Sequence, residues 1–186
     1  FLDSAVFGFR FTLDWFYWFK PLPNIFGFFV NNFYIFVRIN FKTNFMYPAL
    51  QTAHSIFAYI VLAVLFFAAV NAISGLVSKR FFAAKDLRIS LFAMILSHMQ
   101  LLIGLILYFV SPLGFDALGN MSDKALRLTS LEHPLINIIA LAVITIGWSK
   151  HKKEESHNGK YKKIAVFYTI GLVLILSRLP WASWFN

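Results

Sequence analysis

Four apolar runs follow one another between residues 49 and 180, and each is nearly long enough to cross a lipid bilayer. The first, about 49–73, reads ALQTAHSIFAYIVLAVLFFAAVNAI. The second, about 88–110, reads RISLFAMILSHMQLLIGLILYFV. The third covers about 129–148, and the fourth, about 163–180, reads KIAVFYTIGLVLILSRLP. Crossing ~30 Å of hydrocarbon at 1.5 Å per residue takes ~20 residues. Lipid offers no hydrogen bonds, so each run must satisfy its own backbone and become a helix. The composition agrees. The chain is 59% hydrophobic and 13% charged, whereas an ordinary soluble domain is about 45–50% apolar and about 25% charged. The expected fold is all-α, an integral membrane up-down four-helix bundle, because short connections favour antiparallel neighbours.

The charges lie between the runs. Loop 74–88 carries Lys79, Arg80, Lys85 and Arg88 against Asp86. Loop 149–163 carries six lysines against Glu154 and Glu155. The connection 111–128 balances Lys124 and Arg127 with Asp116 and Asp123. Both positive loops fall on one side of an up-down bundle, which the positive-inside rule places in the cytoplasm. The net charge of +9 therefore points to a membrane protein and not to a nucleic-acid partner. The absence of cysteine excludes disulfides, thiolate metal sites, iron–sulfur clusters and covalently attached c-type haem. No A-x-A-like site follows a short apolar core near the start, so no secretory signal peptide is expected.

Residues 1–45 differ from the rest. They hold roughly half of the Phe, one Ala and no Glu, Gln or His. Phe, Asn, Ile, Lys and Tyr are the residues that AT-rich DNA encodes in any frame. One expectation is that Met46 is the true start and that 1–45 is translated upstream sequence. The other is an aromatic segment lying on or in the membrane. Lys20, Pro21, Pro23, Asn31 and Asn32 interrupt it, which makes it a poor spanning helix. Residues 46–186 form the four-helix domain.

Ionisable residues inside a membrane helix are costly and mark function by default. Here they are His54, His98, Glu132, His133 and Arg178. His151 and His157 lie in the charged loop and are expected to be solvated. The third span opens with Thr129 to Glu132, which reads as a capping box, and Pro134 follows in the first turns. Counting the helical rise inward from the outer ends puts His54 ~9 Å deep, His133 ~8 Å and His98 ~18 Å. His54 and His133 share a level on different helices. Two such imidazoles can hold a b-type haem through both axial positions. Arg127 and Arg178 fall where its propionates would emerge. Ser55, Glu132 or the carbonyl of Ser130 is available to orient a ligand histidine. The alternatives stay open: Glu132 as a helix cap, Arg178 snorkelling to the interface, and the histidines, with Asn71 and Gln100, as polar contacts between helices.

MYPALQTAHS in the first helix, SHMQLLIGLILYFVSPLG in the second, ALRLTSLEHPLINIIALAVITIGWSK in the third and LSRLPW at the end of the last form a recognisable set. Together they resemble a small four-helix integral membrane family of Bacteroidota labelled cytochrome b or cytochrome b-like. The likeness covers nearly all of 46–186 and none of 1–45. It implies a multi-pass protein of the bacterial inner membrane that binds haem. The matching positions are His54, His98, Glu132 and His133.

The expected function is a b-type haem protein with an electron-transfer role, with a quinone or a redox protein as partner and a homo-oligomer as one possible state. His54 and His133 are the expected metal ligands. His98, Arg127, Arg178 and Glu132 complete the cofactor site. One alternative is a non-haem metal site built from His54, His98, Glu132 and His133. Another is a structural or accessory membrane protein without cofactor. A self-contained enzyme is the less expected outcome, since neither G-x-S-x-G nor H-E-x-x-H occurs.

Overall fold

Long apolar sequence with proline only near its start propagates as helix until a breaker or a charged loop stops it. The computed structural model describes residues 46–184, together with Phe28 and Asn32. Helix α1 is Met46–Val77, with Pro48 in its first turn. Helix α2 is Ala84–Val110 and ends at Ser111, just before Pro112. A 3-10 turn, Phe115–Gly119, leads to α3, a continuous helical run over Lys124–His151. Helix α4 is His157–Ser177, and a short turn of helix, α5, is Trp181–Trp184. The described residues contain no strand, and their regular structure is all helical. The chain divides into Phe1–Asn40 and Phe41–Asn186. In the first unit the Asn32 amide donates to the Phe28 carbonyl at 2.8 Å. The two expectations for 1–45 otherwise lie outside the described residues.

Three helices, α1, α2 and α3, are long and apolar enough to cross a membrane. Helix α4 carries Lys160, Lys162 and Lys163 in its first two turns. Its apolar part from Ile164 to Ser177 spans ~21 Å.

The start of α3 corrects the expected capping box. The helix begins six residues earlier, with Asp123 as its N-cap, whose carboxylate accepts from the N–H groups of Ala125 and Leu126 at 2.8 and 3.1 Å. Thr129 lies inside the helix and donates back to the Ala125 carbonyl at 3.1 Å. Leu128–Glu132 is a π turn, closed by the His133 N–H on the Leu128 carbonyl. The wider turn sits directly before Pro134, whose missing N–H removes the usual donor for the Ser130 carbonyl.

Helix α1 packs on α2 and α4, and α3 packs on α4 and α2, so α1 and α3 stand diagonally. The core between them is made of Leu65, Ala68, Ala72, Ala93, Ile144, Ile164 and the rings of Tyr161 and Tyr168. Small residues let the helices close, as in membrane bundles generally. A Cβ on Gly75 would run into the Tyr161 ring, and one on Gly147 into Phe167. Gly75→Ala is therefore expected to destabilise the bundle by about 1–3 kcal/mol through overpacking. The check is thermal unfolding in detergent, with Gly119→Ala, where a Cβ would meet open space, as the neutral comparison.

A buried polar network closes the loop end. Asp86 has no exposed surface. Its carboxylate accepts from the Asn71 amide at 2.8 Å, the Arg80 guanidinium at 3.0 Å and the Ala83 N–H at 3.0 Å. Arg80 also donates to the Tyr161 hydroxyl at 3.1 Å, and that bond is the main reason its pKa stands above the ordinary arginine value. Tyr168 donates to the Ser90 carbonyl at 2.8 Å. His151, expected in solvent, is only 2% exposed. Its Nδ1 donates to the Trp148 carbonyl at 2.6 Å, and its ring lies against Trp148. The burial arises because Phe82 of the other loop also packs over it.

Candidate functional site

At the end of the bundle opposite the charged loops, the helices do not close. A cavity of about 400 Å³ opens there, lined mainly by apolar side chains of α1, α2 and α3 and by the residues after α4. That volume is ordinary for a small-molecule or cofactor site. Its polar lining includes His54 and Gln51 from α1, Gln100 and Tyr108 from α2, and His133 and Asn137 from α3.

The two histidines of equal depth meet across the diagonal. The ring centroids of His54 and His133 are 6.4 Å apart, with an angle of 80° between the planes. Nδ1 of His133 lies 2.9 Å from the Arg178 carbonyl oxygen. A carbonyl only accepts, so Nδ1 carries the proton and Nε2 keeps its lone pair. The Asn137 amide, 2.6 Å from the His133 carbonyl, braces the same turn. On His54 the neighbour is the Gln100 amide nitrogen, which donates to the His54 carbonyl at 2.9 Å. It stands 3.2 Å from Nδ1 and 3.5 Å from Nε2, so near to equidistant that it does not select a tautomer. A Cβ on Gly104 would stand 3.0 Å from Cε1 of His54. The glycine is what leaves room for the ring.

Glu132 holds both arginines. Its two carboxylate oxygens take Arg127 at 2.9 Å and Arg178 at 3.2 Å. Arg127 also donates to the Met121 carbonyl at 3.1 Å. Consecutive residues of α3 thus grip one residue at the end of α4: Glu132 takes the Arg178 side chain and His133 takes its carbonyl. The adjacent glutamate and histidine stand at the mouth of an apolar helix. They join α3 to α4.

His98 lies elsewhere. Its Nδ1 donates to the Met94 carbonyl at 2.8 Å, and its Nε2 faces the Thr145 hydroxyl at 3.4 Å. The hydroxyl's single proton makes the shorter bond, 2.8 Å, to the Leu141 carbonyl. Among the described residues no three His, Asp or Glu side chains gather as a metal site.

Gly104 was not picked out from the sequence, whereas Asn137 was expected as a hydrogen-bond partner of the histidines. The signal for Gly104 was present: it lies six residues, ~9 Å of helical rise, from the end of α2. The Asn137 contact needs only the i, i+4 spacing from His133. No family model, curated protein or solved structure matches the chain.

Proposed function

We propose that this chain is a four-span, up-down membrane bundle of the bacterial inner membrane that holds a b-type haem between His54 and His133 and takes part in electron transfer. The observation that carries the reading is the meeting of two imidazoles across a cavity. Two imidazoles with ring centroids 6.4 Å apart would be close enough to hold one metal centre between them through bonds of about 2 Å. A porphyrin supplies four nitrogens of its own, so two protein ligands suffice where a non-haem site would want a third. The Arg178 carbonyl on Nδ1 of His133 would orient that ring and leave Nε2 to hold the metal.

The fit fails at one point. Arg127 and Arg178 were expected beside the propionates, but both are ion-paired to Glu132. Tyr47, Gln51 and Ser111 line the cavity, and their hydroxyl and amide groups are the donors left for an acidic edge. Leu101, Leu105, Leu126 and Leu128 form an apolar wall that would suit the macrocycle. A b-type haem held there carries one electron at a time between ferrous and ferric iron.

A second reading has one observation behind it. Gln100 Oε1 is buried at the cavity with no hydrogen-bond partner among the described residues. An amphiphile with a hydroxyl, such as a quinol, would supply the donor. One spectrum separates the two. Protein purified from its native membrane is expected to show a Soret band and a reduced-minus-oxidised α band at one haem per chain. Colourless protein that still binds a quinol would leave only the second reading.

A further inference from the structure

The opposite end of the molecule carries a charge imbalance that the fold concentrates. Residues 79–88 and 150–163 hold ten lysines and arginines against Asp86, Glu154 and Glu155. Two of those three acids are engaged internally, Asp86 by Arg80 at 3.0 Å and Glu154 by Lys163 at 3.3 Å. Among the described residues, the histidine end has Lys124, Arg127 and Arg178 balanced by Asp116, Asp123 and Glu132.

The two basic loops form one surface. The rings of Phe81 and His157 lie 3.8 Å apart, those of Phe82 and Tyr161 5.0 Å. Lys79, Lys85 and Arg88 from one side and Lys152, Lys153 and Lys162 from the other remain exposed around this junction. The connections are short, residues 78–83 and 152–156, so these cations stay close to the helix ends. Large apolar side chains stand exposed among them, Val77 at 77% and Phe81 at 69%. The ammonium groups of Lys150 and Lys152 rest 5.7 and 5.9 Å over the rings of Phe167 and Trp148. Cations interleaved with exposed apolar groups suit the boundary between headgroups and acyl chains. An acidic protein would need a polar platform standing clear of the lipid, and these connections are too short to build one.

We propose that this end is a binding surface for anionic phospholipid headgroups, held by Lys79, Lys85 and Arg88 together with Lys152, Lys153 and Lys162. The surface rests on the membrane placement of the helices and not on the histidine cavity, so colourless protein leaves it untouched. Full-length chain in neutral detergent, offered phosphatidylglycerol or phosphatidylcholine, is read by native mass spectrometry. Phosphatidylglycerol is expected to be retained at least about tenfold more tightly, the effect of one or two cations near a headgroup, and less so as salt is raised. Lys152→Gln/Lys153→Gln/Lys162→Gln is expected to remove most of that preference, and Lys79→Gln/Lys85→Gln/Arg88→Gln to do so independently should the first variant unfold. Helical circular dichroism identifies folded variants. Equal retention of the two lipids, an unchanged preference in a folded variant, or full displacement by inorganic phosphate at constant ionic strength would overturn the proposal.

Discussion

Alanine at position 133 is expected to abolish the visible absorbance of the purified protein, and alanine at 54 to do the same. The two rings meet edge to face across one cavity, and among the described residues no group of three His, Asp or Glu offers a third ligand. His98→Ala is expected to leave at least part of the haem, since that ring is bonded to Met94 and faces Thr145. Loss of the Arg178 contact is a separate consequence of His133→Ala. His133→Asn distinguishes the two effects, because an amide N–H keeps a donor for the Arg178 carbonyl while offering no imidazole nitrogen. Colourless but folded His133→Asn protein supports the ligand assignment. Equal haem content in the His54, His98 and His133 alanine variants would reject it.

Asp86→Ala is expected to cause the largest loss of stability of any single change at the loop end. Its removal leaves the Asn71 amide and the Ala83 N–H without their acceptor. Unsatisfied buried donors cost about 1–3 kcal/mol each, which puts the variant about 2–6 kcal/mol below the native chain. Asp86→Asn keeps one acceptor oxygen and is expected to lose about 1 kcal/mol. Thermal unfolding in detergent, followed by circular dichroism, gives the order native, asparagine, alanine. An alanine variant as stable as the native chain would show that the network around Asp86 does not hold the loop end together.

Local regularities in the sequence carried over well into the structure. The apolar runs became helices, and a count of helical rise put His54 and His133 at one depth, where their rings lie 6.4 Å apart. What escaped depends on contacts between distant residues. Asp86 looked like the counter-charge of a wet loop. Its burial needs Asn71 from α1 and a loop folded under Tyr161 of α4, which no spacing in the loop reveals. His151 escaped for the same reason, since Phe82 covers it from another loop. At the start of α3, Thr129 and Glu132 have the spacing of a cap. Asp123 is the stronger claimant because it begins the helix, and Glu132 is then free to reach two arginines. The charged end was legible as composition, whereas the convergence of its two loops is a property of the packed rings.

The joint made by Glu132 and His133 on Arg178 has a mechanical consequence. The imidazole is tethered to main chain, and the carboxylate beside it is tethered to the side chain of that same residue. The last turn of α4 therefore works as a handle on the ring. A bilayer that thins or thickens and tips that turn must re-aim His133 with it.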